Sequence, residues 1–414
     1  MSNAVNPTPA ASEIHLSRAQ MLLGYVTASY GFAFSTMLSF LVPLRALEIG
    51  TPIEFIGLIV GAAAVVPALL AVPSGELSDR LGPRKTYIIS TLVSGLATFA
   101  AAGTESYWVL FAIQLVAGFA RSTAWVSSQV YLTSVGRPDQ RATITGRMSF
   151  ATNAGMIAAP LLVGASAELV GFQYTFVTLA VVSLLYCLMG TRLTEVRVPR
   201  VTKRSGASGG FGLALTLLRL KGMQVVLQLT FVRLWNATCW MAFYPLLLLQ
   251  QGFTPARIGT LLAVYAVVST VVTLTAGWFS ARMGNALATA FSLAVGVLGV
   301  VLSPYAYDYP LVFLPAILVG FAQGLSLPLL VATVSEEAPP DQRGIALGLR
   351  MSVNQGAGTL APVMTGAVAA SIGLTLGLLF NGVVGALVLG SSLWMYRGAR
   401  RSRKNPAENL QGKS

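Results

Sequence analysis

Apolar runs long enough to cross a bilayer recur along this whole chain, and that recurrence constrains the fold more than any single motif. A membrane-spanning helix takes about 20 consecutive apolar residues, and lipid offers the backbone no hydrogen bonds, so each such run must satisfy its own as a helix. Twelve candidate spans can be placed. The first six are 20–44, 53–74, 86–104, 107–134, 142–166 and 172–191. The second six are 222–249, 257–279, 287–304, 309–334, 344–368 and 373–396. The expected fold class is an all-α polytopic membrane protein embedded in a lipid bilayer. Only 10% of the residues are charged, against roughly 25% in soluble domains. The net charge of +13 is therefore read as loop charge, and no nucleic-acid partner is expected.

The placement of Lys and Arg orients the spans, because cytoplasmic loops carry the excess. With the N-terminus inside, the inner loops hold Arg18, Arg80, Arg84, Lys85, Arg137, Arg141, the run from Arg192 to Lys221, Arg282, Arg343 and the tail from Arg397 to Lys413. The outer loops hold only Arg45 and Arg257. Both termini are expected in the cytoplasm, with the chain in a cell membrane, in bacteria the inner membrane. The polar start, MSNAVNPTPAASEIHLSRAQ, lacks a basic leader, so the apolar run after it reads as a true span. Cys187 and Cys239 lie within apolar runs and His15 is the single histidine. No disulfide framework, metal site or cofactor is expected.

The two halves repeat at one offset. Subtracting 202 takes Gly277 to Gly75, Arg282 to Arg80, Gly284 to Gly82, Pro245 to Pro43 and Gly259 to Gly57. It also takes GFA at 320–322 to GFA at 118–120, PDQR at 340–343 to PDQR at 138–141, and AP at 361–362 to AP at 159–160. One constant offset through loops and spans points to duplication of a six-helix unit, an arrangement that places a substrate site near the midplane between the halves. The expected organisation is a cytoplasmic tail (1–19), a first six-helix bundle (20–191), a basic, Gly/Ser-rich cytoplasmic linker (192–221), a second bundle (222–396) and a cytoplasmic tail (397–414).

The stretch GELSDRLGPRK at 75–85 packs five charges between two apolar blocks. Gly82 and Pro83 suit a tight reversal, and the charges anchor the topology. Through Gly75, Leu77, Asp79, Arg80, Gly82, Arg84 and Lys85, with Pro83 inserted, this stretch is similar to the loop signature of the major facilitator superfamily. The resemblance runs over essentially the whole chain. It implies that family's fold, twelve transmembrane helices in two related six-helix bundles, and alternating-access transport of a small molecule. It also implies a conformational latch built on Gly75, Asp79, Arg80, Gly82 and Arg84, with Arg141 and Arg343 in the paired PDQR loops. Ala281 stands where Asp79 should repeat, so the latch should be centred on the first half.

Span 5 sharpens the resemblance. Gly146, Gly155, Pro160 and Gly164 match the family's exporter-associated pattern, while Ala159 and Val163 replace glycines. The alternative is ordinary small-residue packing between helices. In span 4, Gln114 stands where exporters often carry arginine, and Arg121 follows seven residues later on the same helical face. Arg233 lies equally deep in span 7. Charge at such depth is costly and ordinarily faces a cavity or a partner, yet every Asp and Glu maps to a loop, a tail or a span end, Glu168 at the outer end of span 5 coming nearest to an exception. Two arginines without carboxylate partners suit an anionic substrate, held by charge-assisted hydrogen bonds; bonding to backbone carbonyls or snorkelling is the alternative. Arg147 and Arg350 read as snorkelling or gate residues.

Trp125, Asn236, Trp240, Asn153, Gln355 and Tyr30 complete the candidate substrate site; Asn153 and Gln355 are exact repeat partners. The leading expectation is a secondary transporter exporting a small organic anion, working as a monomer and coupled to protons where coupling exists. Proton-coupled uptake of an organic anion and proton-antiport multidrug efflux remain open. No nucleophile–base set, phosphate loop or metal cluster points to an enzyme, so no catalytic residues are assigned.

Overall fold

A computed structural model of the chain describes residues 17–70, 81–135, 141–195, 215–339 and 342–404. Among these residues there is helix and turn but no strand. The helices are α1 (Arg18–Glu48), α2 (Ile53–Leu69), α3 (Pro83–Gly103), α4 (Tyr107–Val135), α5 (Arg141–Thr191), α6 (Lys221–Gln250), α7 (Pro255–Thr273), α8 (Ala276–Met283), α9 (Asn285–Leu302), α10 (Phe313–Glu337), α11 (Arg343–Ile372) and α12 (Leu374–Lys404). Seven of the described helices are long and apolar enough to cross a membrane, and α2 is a shorter apolar one. At 31, 30 and 30 residues, α1, α6 and α11 have ample length as well.

The element boundaries differ from the sequence reading in four places, each for a local reason. Spans 5 and 6 join in α5, which breaks direction only at Gly171, where φ is 82°; we call residues 141–170 and 172–191 its first and second limbs. The expected span 257–279 is cut at Leu274 and Thr275, and the short α8 follows. The last helix continues to Lys404, past the expected end at 396; its final turns are rich in arginine, a strong helix former whose charge suits a helix C-terminus. Arg45, expected in an outer loop, lies in the last turn of α1 and is buried. Its guanidinium donates to the carbonyls of Ala102 and Thr104 at the end of α3 and to the Glu48 carboxylate.

The helices pack in two sets. In the first, α1 lies against α4 and α5, α3 against α4 and α5, and α2 against α4; in the second, α6 packs on α10, α11 and α12, α7 on α10, and α9 on α10 and α12. Among the described residues, the six glycines with positive φ fall into pairs at offset 202: Gly50 with Gly252, Gly82 with Gly284, and Gly171 with Gly373. Only a residue without a Cβ turns the chain freely at such φ values, so the same corners recur in both sets. Close approaches repeat too. Gly118 lies on the backbone of Ala63, and Gly320 on the backbone of Tyr265, each 202 residues further on.

Between the sets, α2 crosses α11, α5 crosses α7, and α1 meets α6. The two crossings are repeat images of one another. Gly57 sits against Pro362 and Gly366, and Gly259 sits against Pro160 and Gly164. Both involve the early part of α2 or α7, so both lie at the face remote from where α1 begins and α12 ends. We call this the far face, and the other the terminal face. A single hydrophobic cluster joins the two sets there, including Leu41, Leu44 and Ile56 from the first and Leu246, Leu248 and Ile258 from the second. At the terminal face the described cores stay separate: Tyr25, Tyr131 and Met148 in one set, Met223, Val334 and Ala346 in the other. Among the described residues the hydrophobic cores of the two sets are therefore continuous toward the far face and separate at the terminal face, and the α2–α11 contact runs inward from the far face as far as Ala64 and Gly358.

Candidate functional site

Arg121 lies in the middle of α4, about 21 Å along it at 1.5 Å per residue. It is 6% exposed, and one terminal nitrogen of its guanidinium, Nη1, has no hydrogen-bond partner among the described residues. Tyr30 of α1 is near enough to feel its charge. Arg233 lies about 18 Å along α6 and is half-buried. Its Nε donates to Ser326 Oγ of α10 at 3.1 Å, and the Gln323 amide donates to the Arg233 carbonyl at 3.0 Å. Tyr265 and Arg350 lie within range of its charge.

The repeat gives these positions an order. Arg121 corresponds to Gln323, and Arg233 corresponds to Gly31. Each set therefore carries one of these deep arginines, on α4 in the first and on α6, the counterpart of α1, in the second. In the second set the counterpart of Arg121 steadies the helix that carries Arg233. Arg121, Arg45 and Arg350 are buried, while no Asp or Glu is buried among the described residues. Burying a cation without a partner is strongly unfavourable, and among the described residues nothing pairs with Nη1 of Arg121.

The other candidates separate into groups. Trp125 is partly buried, one turn beyond Arg121, and packs over Gly31 of α1. Asn153 and Gln355 are half-buried on α5 and α11. Asn236 turns inward within the second set, against Gly385 of α12, and neither atom of its amide head has a partner among the described residues. Trp240 is fully buried; its indole N–H donates to Ser303 Oγ at 2.9 Å, and its ring lies 5.2 and 5.5 Å from those of Tyr244 and Tyr265. Its donor and its ring are thus engaged by residues of the second set.

Tyr30 is likewise fully buried. Its hydroxyl pairs with Ser183 Oγ at 2.7 Å, and its ring packs against Phe34, Tyr87 and Tyr186. With Gly155, Leu162, Thr175 and Tyr186 it borders a cavity of about 330 Å³ between α1 and the two limbs of α5. That cavity belongs to the first set alone. No spacing in the sequence announced it, because it depends on the corner at Gly171.

Of the latch residues, Gly75, Asp79 and Arg80 lie outside the described residues, as does the side chain of Arg141. Gly82 has φ 86° and begins α3. Arg84 donates to the Thr191 carbonyl at the end of α5, a tie within the first set. Arg343 is exposed at the start of α11. The span 5 glycines have different surroundings. A Cβ at Gly146 would meet open space, Gly155 packs on Ser29 and Ala33 of α1, and Gly164, one turn beyond Pro160, lies on the backbone of α7. The last of these is a between-set crossing that sequence spacing alone did not identify.

Two repeated sets of spanning helices, meeting at one face and carrying polar groups at mid-depth, define a membrane transporter. The profile of the Major Facilitator Superfamily matches residues 21–247 and again 226–413, and the chain belongs to that family: it is a multi-pass transporter of small molecules, not an enzyme. It is 25% identical over 349 residues to the class C tetracycline resistance protein of Escherichia coli, covering 82% of this chain and 84% of that one. It is 25% identical over 301 residues to a probable sulfoacetate transporter of Cupriavidus necator, covering 67% and 70%. The nucleoside transporter NupG superposes with a TM-score of 0.77 at 17% identity, over 92% of this chain and 99% of that one, which is a likeness of fold.

Proposed function

We propose that the chain is a secondary exporter of a small organic anion, working as a monomer in a bacterial inner membrane with both termini in the cytoplasm. The observation that carries the anionic reading is Arg121, buried with an unpartnered Nη1 while no carboxylate is buried among the described residues. Arg233, oriented by Ser326, supplies a second cation from the other bundle. An anion held between helices of both bundles couples its binding to their relative rocking. Support for export comes from the span 5 pattern and from the tetracycline resistance relatives; support for an anion comes from the probable sulfoacetate transporter. The Lys and Arg asymmetry assigns the terminal face to the cytoplasm, so the described packing corresponds to an inward-open state. Residues 20–191 and 222–396 are the moving units, joined by 192–221. Where protons are coupled, Asp79 or the substrate carries them.

Transport of sulfoacetate and of dicarboxylates into proteoliposomes, under pH gradients of both signs, tests this reading. Arg121→Gln and Arg233→Gln should each reduce anion transport at least tenfold, about 1.4 kcal/mol, with neutral compounds unaffected. Unchanged anion transport in both variants overturns it. Stimulation by a gradient that drives uptake only would favour the import alternative.

A further inference from the structure

Glu168 sits near the far end of the first limb of α5, three residues before the corner at Gly171. Its Oε2 accepts a hydrogen bond at 3.0 Å from the backbone N–H of Ala256, which belongs to the first turn of α7 in the other bundle. The first N–H groups of a helix have no partner within it and must be satisfied from outside. In α7 the first helical position is Pro255, which has no N–H, and the Thr254 side chain accepts from Arg257. Ala256 is left, and its partner comes across the bundle interface. The carboxylate also lies at the positive end of the α7 dipole. Arg257 does not compete for it, since its guanidinium stacks over Tyr309 at 5.2 Å.

The chain holds Glu168 in place. Ser166 Oγ pairs with Thr175 Oγ1 at 3.1 Å, and Thr175 Oγ1 donates to the Gly171 carbonyl at 2.8 Å, bracing the corner that α5 turns just beyond Glu168. The repeat-related crossing lacks this device. Position 370, the counterpart of Glu168, is alanine, and Ala256 corresponds to Glu54. There α2 starts after Pro52 with no side-chain cap, and α2 and α11 meet by close backbone approach at Gly57 and Gly366.

We infer that Glu168 is a positioning residue of the transport cycle, a one-sided latch that caps α7 from the opposite bundle and holds the far face closed. When the bundles part at this face, the carboxylate and the Ala256 N–H are left to water. The latch therefore favours the state described here over the one in which the far face is open. Losing a helix cap costs about 1 kcal/mol, which corresponds to a roughly fivefold change in the ratio of the two states. The inference needs alternating access alone and is independent of whether the substrate is an anion.

The test uses the full-length protein in nanodiscs, spin-labelled through Glu105→Cys and Tyr307→Cys on exposed far-face loops of opposite bundles, in a background lacking Cys187 and Cys239. Glu168→Ala should raise the long-distance population about fivefold. Glu168→Gln, which keeps a carbonyl acceptor, should fall between it and the parent. Glu54→Ala, at the repeat-related crossing, should leave the distribution in place. Circular dichroism and the elution profile establish that each variant is folded. A folded Glu168→Ala protein with the parental distance distribution overturns the inference, as does an equal shift from Glu54→Ala.

Discussion

Replacing Gly259 with alanine should bias the transporter away from the far-face-closed state. A Cβ at Gly259 would fall against the Pro160 carbonyl oxygen, with the Pro160 carbonyl carbon at 3.2 Å and the Gly164 Cα at 3.1 Å. These are backbone atoms, so no rotamer change relieves the overlap. Carbon atoms prefer separations of about 3.5–4.0 Å, so α5 and α7 must part by roughly 1 Å where they cross. Overpacking of this kind costs typically 1–3 kcal/mol; about 2 kcal/mol corresponds to a roughly thirtyfold change in the ratio of states. The overlap exists only while the bundles touch, so the cost falls on the closed far face and spares the fold of each bundle. Gly57→Ala, against the Pro362 carbonyl and Gly366 in the repeat-related crossing, should do the same. Gly146→Ala, whose Cβ meets open space, is the matched control. The assay is the far-face distance distribution, read together with transport rate. If Gly259→Ala leaves both at parental values, or if Gly146→Ala shifts them equally, the crossings do not control the equilibrium.

Two further outcomes concern residues that hold a bundle together. Trp240→Phe removes the indole N–H that reaches Ser303 and should lower stability by about 1 kcal/mol in a thermal melt, with the substrate KM unchanged. Arg45→Met strips the bonds to the Ala102 and Thr104 carbonyls and should destabilise the first bundle by about 1–3 kcal/mol, measured as the melting shift of the purified protein against Arg257→Met, whose side chain is exposed.

Much of the fold was legible because lipid leaves a backbone few options, and a run of apolar residues there is helical for the same reason wherever it occurs. Duplication was legible because glycine, proline and arginine recur at one offset. The site was less legible. Depth along a helix can be counted, so Arg121 and Arg233 stood out, but the direction a side chain faces depends on neighbours distant in sequence. Trp240 and Arg233 share α6, seven residues apart, yet Trp240 is enclosed by Ser303, Tyr244 and Tyr265 while Arg233 reaches Ser326. Asn381 of α12, also deep in an apolar run, exchanges hydrogen bonds with the backbone and indole of Trp235 within the second bundle.

By itself the sequence determined the class: spanning helices, two copies of one unit, and deep positive charge without deep negative charge. These follow from residue chemistry and count alone. Which face is closed, which glycines bring opposite bundles into contact, and that Glu168 completes a helix it does not belong to were decided by tertiary structure. Each depends on two segments about ninety or more residues apart arriving at the same point, and only packing brings them there.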